Sequence, residues 1–155
     1  MKNQNIVLIA IAFALAFAFA PFTKAVPCPQ GGCGQQLPEI SIYSTGNVAR
    51  GNTGSFVLSM NSPVPFAGSG MYVNFTVGGS AIAGVDYLAL VPPSFVGPSG
   101  YGTILVRTLP NPRGSADCRA YSVEVKLAPG AGYKLGASNS ATMWIEPVGC
   151  GAVNQ

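Results

Sequence analysis

Histidine is missing from these 155 residues, and the acids are reduced to five: Glu39, Asp86, Asp117, Glu124 and Glu146. Enzymes that move protons or activate a nucleophile need such groups held beside a partner, and no motif pairs these carboxylates. The serines are many, yet no Gly-x-Ser-x-Gly elbow occurs. Cys28 and Cys33 have four residues between them, not the two of a redox pair. These gaps predict a protein that is not an enzyme.

Metal and nucleic-acid chemistry are also poorly provided for. Four thiolates offer the alternative of a structural zinc, but without histidine and without short Cys-x-x-Cys knuckles the usual ligand spacing is absent. Charged residues make up only 8% of the chain. Of the eight Lys and Arg, Lys2 and Lys24 fall in an N-terminal leader, so six remain against five acids. A near-neutral domain lacks the clustered positive face that phosphate backbones require.

That leader covers residues 1–25. Lys2 gives a basic start, Ile6 to Ala20 form an apolar run of 15 residues, and Thr23-Lys24-Ala25 ends on small residues where a signal peptidase reads. The run is short against the roughly 20 residues of a membrane helix. A signal peptide cleaved after Ala25 is expected, with an uncleaved anchor as the alternative, so the domain is expected to be secreted or at the cell surface with no membrane span. In that setting the even count of Cys28, Cys33, Cys118 and Cys150 favours disulfides.

Beyond the leader, helical periodicity is absent and period-two alternation takes its place. Met71, Val73, Phe75 and Val77 are expected inward, with Tyr72, Asn74 and Thr76 outward. Tyr121, Val123, Val125 and Leu127 alternate with Ser122, Glu124 and Lys126, and Ala141, Met143 and Ile145 with Thr142, Trp144 and Glu146. Weaker strands are expected over Glu39 to Tyr43, Ser55 to Met60, Tyr87 to Val91 and Thr103 to Leu109. Prolines between the runs, as in Pro92-Pro93, set turns and end strands. The pattern predicts an all-β, immunoglobulin-like antiparallel sandwich of about seven strands over residues 37–155. An irregular arm rich in Cys, Gly and Pro, residues 26–36, precedes it.

One segment carries more information. Val77-Gly78-Gly79-Ser80-Ala81-Ile82-Ala83-Gly84-Val85-Asp86-Tyr87 resembles the Gly-x-Ala-x-x-Gly-x-Asp-Tyr signature of the Calx-beta domain, an extracellular β-sandwich module. Tyr121 to Leu127 and Lys134 to Ile145 fall where that family has its last two strands. The resemblance spans nearly all of the chain after the leader.

The resemblance raises calcium, which the family binds with carboxylates gathered at one pole of the sandwich. Asp86 alone sits on a family ligand position, with Asp117 and Glu146 near misses, while Arg50 stands where the family has Glu. Calcium takes six to eight oxygens, so a pole carrying Arg50, Arg113 and Arg119 implies loss of the site and no cofactor. Asp86 is then a turn residue that accepts backbone hydrogen bonds or pairs with Arg50. The family's strand order also implies that Cys118 and Cys150 are neighbours and form a disulfide. It places the arm at the opposite pole, so that Cys28 and Cys33 pair with each other, or else bridge two molecules.

Two surface features complete the inventory. Asn74-Phe75-Thr76 fits a glycosylation sequon with Asn74 outward. Trp144, the only tryptophan, faces outward and either covers the aliphatic stem of Lys126 or an adjoining loop, or anchors a contact with another subunit, a protein partner or a ligand. The expected function is a secreted structural or adhesive module, such as a surface or matrix subunit. The alternatives are a calcium-dependent binding domain, or a secreted inhibitor or ligand-binding protein using the Cys28 to Cys33 arm.

Overall fold

The computed structural model describes residues 37–61, 70–110, 113–114 and 116–150. The leader and the Cys28 to Cys33 arm lie outside these residues. The described part is all-β: β1 (Glu39–Ser44), β2 (Val48–Ala49), β3 (Thr53–Asn61), β4 (Met71–Val73), β5 (Phe75–Gly78), β6 (Ser94–Val96), β7 (Tyr101–Arg107), β8 (Tyr121–Leu127), β9 (Lys134–Leu135) and β10 (Ser140–Glu146). They form a six-stranded sheet ordered β4-β6-β7-β3-β1-β9 and a four-stranded sheet ordered β2-β10-β8-β5. No helix among the described residues is long and apolar enough to cross a membrane.

The alternation read from the sequence is what builds the sandwich. Tyr121, Val123, Val125 and Leu127 of β8 and Met143 and Ile145 of β10 are buried from one sheet; Ile40, Ile42, Phe56, Leu58, Ile104 and Val106 are buried from the other. They belong to one apolar cluster between the layers. Each such side chain contributes on the order of 1.5–3 kcal/mol on burial.

The strand count rises from the expected seven to ten, for identifiable reasons. β2, β6 and β9 are two or three residues long, too short for period two to show. The run from Met71 to Val77 is interrupted at Asn74 because it changes sheets: β4 edges the larger sheet and β5 the smaller. Val73 and Phe75 both stay buried across the switch, whereas Val77, expected inward, is exposed on an edge strand with only β8 beside it. Tyr87 to Val91 is no strand. Tyr87 makes isolated bridges to Ala83 and Thr108 instead. The long pairings are antiparallel, but β1 with β9 and β10 with β2 pair in parallel, so both sheets are mixed.

Candidate functional site: a guanidinium-lined pole

One end of the sandwich gathers the turn between β2 and β3, the connection from β5 to β6, the connection from β7 to β8, and the tail after β10. The second of these is tied down by its own backbone. Val85 and Asp86 donate to the Ile82 carbonyl at 3.1 and 2.8 Å, Gly84 donates to Tyr87, and Leu109 donates to Asp86. At its start Gly79 has φ +104°, and a Cβ there would overlap the Ser122 backbone. Only glycine fits both demands.

The turn buries the Asp86 carboxylate at 1% exposure. Its Oδ2 accepts a 2.7 Å bond from the Ile82 backbone N–H. Arg113 donates from Nε to Oδ1 at 2.8 Å and from Nη2 to Oδ2 at 2.7 Å, a two-bond fork of the strong kind. The Arg113 guanidinium beside Asp86 holds its carboxyl below the ordinary value of 3.8, overcoming burial that acts the other way; the Ile82 N–H helps.

Asp117 forms the second centre. It accepts from the Tyr121 hydroxyl at 2.9 Å, from Arg119 Nε at 3.1 Å and from the Arg119 backbone N–H at 3.2 Å. Burial raises its pKa, but the Arg119 guanidinium and the Tyr121 hydroxyl outweigh that and set it well below the carboxylate range. Arg50, 6% exposed, reaches in from the β2–β3 turn. It donates to the carbonyls of Asp117 at 3.3 Å and Arg119 at 3.0 Å, with a longer 3.5 Å approach to the Asp117 carboxylate. Among the described residues the Arg50 Nε has no partner.

Tyr121 ties the two centres together. The guanidinium carbons of Arg113, Arg50 and Arg119 lie 4.1, 5.4 and 5.7 Å from its ring centroid, within the range of cation–π attraction. Beside them Cys118 and Cys150 are joined in a disulfide, with Cα atoms 5.7 Å apart. That is the pairing the resemblance implied.

The structure therefore brings together Arg50, Asp86, Arg113, Asp117, Arg119 and both cysteines, as expected, with one change of partner. Asp86 does accept a backbone bond within its turn, but its guanidinium comes from Arg113 rather than Arg50, because Arg50 is drawn to Asp117. The alternation assigns Tyr121 to the core alone and gives no sign of its phenol as the hub. The sequence signal was Arg113 and Arg119 shortly before Tyr121, at the pole that also carries Arg50. The Glu146 carboxylate stands apart from the network and accepts from Asn47 Nδ2 at 2.9 Å, while its carbonyl accepts from the Arg50 backbone N–H at 3.0 Å. Among the described residues no three of His, Cys, Asp and Glu converge as metal ligands.

The two surface residues fall elsewhere. Asn74 is exposed at the sheet switch, and its backbone is engaged on both sides, donating to the Tyr133 hydroxyl at 3.2 Å and accepting from Ala128. Trp144 is 45% exposed on the outer face of β10. Ser122 stands opposite it, while Lys126 lies across from Ser140, so the register gives the Lys126 stem no place beneath the ring. Compared with known proteins, the chain matches no family model and no curated protein.

Proposed function

We propose that the protein is a secreted, non-enzymatic, Calx-beta-like sandwich that serves as a structural or adhesive element outside the cell. The observation that carries this reading is the state of the pole: its two carboxylates are occupied by arginines and a tyrosine, and a disulfide closes the tail onto it. Such a pole is a fixed clamp. A cation there would have to displace Arg113 from Asp86 and Arg119 from Asp117 and then find further oxygens to complete its six to eight. The clamp suits a module that must keep its shape outside the cell, and the low charge suits contact with a partner or with another copy.

The test is hydrodynamic size and melting temperature of the exported protein, with and without calcium and with and without reductant. The expected result is self-association or adhesion to an extracellular surface, and no calcium-dependent shift in melting. A micromolar calcium affinity would overturn the reading in favour of a binding domain of the sensor class. A strict monomer that binds one soluble target tightly would overturn it in favour of an inhibitor.

A further inference from the structure

The outer face of the six-stranded sheet has no part in the pole, and its register sets out an unusual row. Tyr72 of β4 pairs with Phe95 of β6. The Val96–Gly102 pairing puts Phe95 level with Thr103 of β7, Thr103 pairs with Val57 of β3, and Val57 pairs with Tyr43 of β1. Each of these residues is more exposed than its neighbours along the strand, so all five side chains are on the outside. Tyr72, Phe95 and Tyr43 are 68%, 48% and 48% exposed.

The flanking rows hold Tyr101 with Ser59 and Ser41 on one side, and Leu105 with Ser55 on the other. Among the described residues, charge appears on this face only in the end rows, at Glu39, Lys134 and Arg107. The result is a strip of rings and hydroxyls crossing five strands. At about 4.8 Å between strands it runs roughly 19 Å from Tyr72 to Tyr43. Phe95 is fixed in place: its ring packs on that of Tyr72 with centroids 5.2 Å apart, and a Cβ at Gly70 would overlap it.

Two occupants compete for such a strip. A second copy would offer this strip only the same rings and hydroxyls, with no opposite charges in the three rows to fix one register. A neutral polysaccharide chain fits better. Its sugar rings present apolar C–H faces that stack on aromatic rings, its hydroxyls meet Tyr, Ser and Thr hydroxyls, and a linear polymer needs a long narrow strip without charge. We propose that this face binds a neutral, linear polysaccharide laid along the row from Tyr72 to Tyr43. This deepens the adhesive reading and rests on it, by naming the surface to which the module adheres.

The test is retention of the exported protein on microcrystalline cellulose and on chitin, and slowed migration in a gel containing soluble β-glucan, with an anionic polysaccharide as control. Three variants, Tyr72→Ala, Phe95→Ala and Tyr43→Ala, are compared with Trp144→Ala on the opposite sheet, and melting curves check that each is folded. Binding to at least one neutral polymer is expected, weakened about ten-fold per ring removed and unchanged in Trp144→Ala. Failure to bind every neutral polymer, preference for the anionic one, or binding indifferent to the three rings would overturn the inference. A dimer that is lost in the ring variants would also overturn it, by assigning the face to self-association. Adhesion or assembly that persists without polysaccharide binding leaves the adhesive reading standing while this inference falls. Loss of adhesion of every kind ends both.

Discussion

Asp86 and Arg113, 27 residues apart, meet in a two-bond fork at 2.7 and 2.8 Å, with the carboxylate 1% exposed and the guanidinium side chain 24% exposed. The asymmetry decides which partner matters more. Removing Asp86 frees a guanidinium that can turn to water. Removing Arg113 strands a buried charge, the costlier error. Asp86→Asn is expected to destabilise the fold by about 2 kcal/mol, the scale of lost charge-assisted hydrogen bonds. Arg113→Ala is expected to lower the melting temperature at pH 7 by more than Asp86→Asn does. Thermal unfolding of both checks this, and the reverse order would show that the fork is incidental.

The same carboxylates set the acid limit. Asp86 and Asp117 are both held below their ordinary 3.8 in the folded chain, so the unfolded chain takes up protons first as the pH falls. Their stabilisation is complete above about pH 5 and drains away below about pH 4. Both contribute: Arg119 beside Asp117 is 78% exposed and its pairing is screened by solvent, but the Tyr121 hydroxyl and the buried Arg50 also hold that carboxylate. Melting temperature should be flat from pH 5 to 8 and fall toward pH 2, more gently in Asp86→Asn. An equally steep fall in that variant would place the acid sensitivity elsewhere.

Much of this was legible in the chain and some was not, for physical reasons. Period-two alternation revealed β8 and β10 because each has one face against the core and one against water. It missed β9, whose two residues cannot show a period, and it read Met71 to Val77 as one strand because a sheet switch keeps the alternation intact through Asn74. At the pole, residue types announced a guanidinium cluster. The exchange of partners, Arg113 for Arg50, depends on where two loops end in space.

The Cys118–Cys150 bond joins positions 32 residues apart. In the chain-entropy account a loop of that length contributes roughly 3–4 kcal/mol. Cys118→Ser, Cys150→Ser and the double variant should therefore unfold at similar, clearly lower temperatures than the parent. Peptide mapping of the parent should recover the two half-cystines in one linked fragment. Recovery of either linked to Cys28 or Cys33 would refute the pairing.

Adjacent glycines in the signature segment make a matched pair. Gly79 has φ +104° and a Cβ would strike the Ser122 backbone, which cannot yield as a side chain could; Gly78 has open space around it. Gly79→Ala should cost several kcal/mol, on the order of the larger single-site losses, while Gly78→Ala should stay within about 0.5 kcal/mol of the parent. Denaturant midpoints measure both. Equal tolerance at the two sites would mean that the crossing is not held as described.

Trp144 stands on the face opposite the aromatic row, so the two surfaces can be separated by mutation. Its backbone N–H donates to Asn47 Oδ1 at 3.3 Å, Ser122 stands across from it and Thr142 and Glu146 flank it along β10. Folding leaves Trp144 45% exposed, so truncation still removes a partly buried ring, and Trp144→Ala should destabilise by about 1 kcal/mol. An exposed indole ringed by small polar residues is suited to anchor an interface, where tryptophan is enriched among the side chains that dominate binding energy. Trp144→Ala is therefore expected to weaken self-association or protein-partner binding while polysaccharide retention holds. A glycan at Asn74 should not interfere if the contact is local to β10 and β8, and removing the sequon with Thr76→Ala tests that separately. If sedimentation shows assembly unchanged in a folded Trp144→Ala protein, the ring is a surface residue without a partner and the contact must be sought elsewhere.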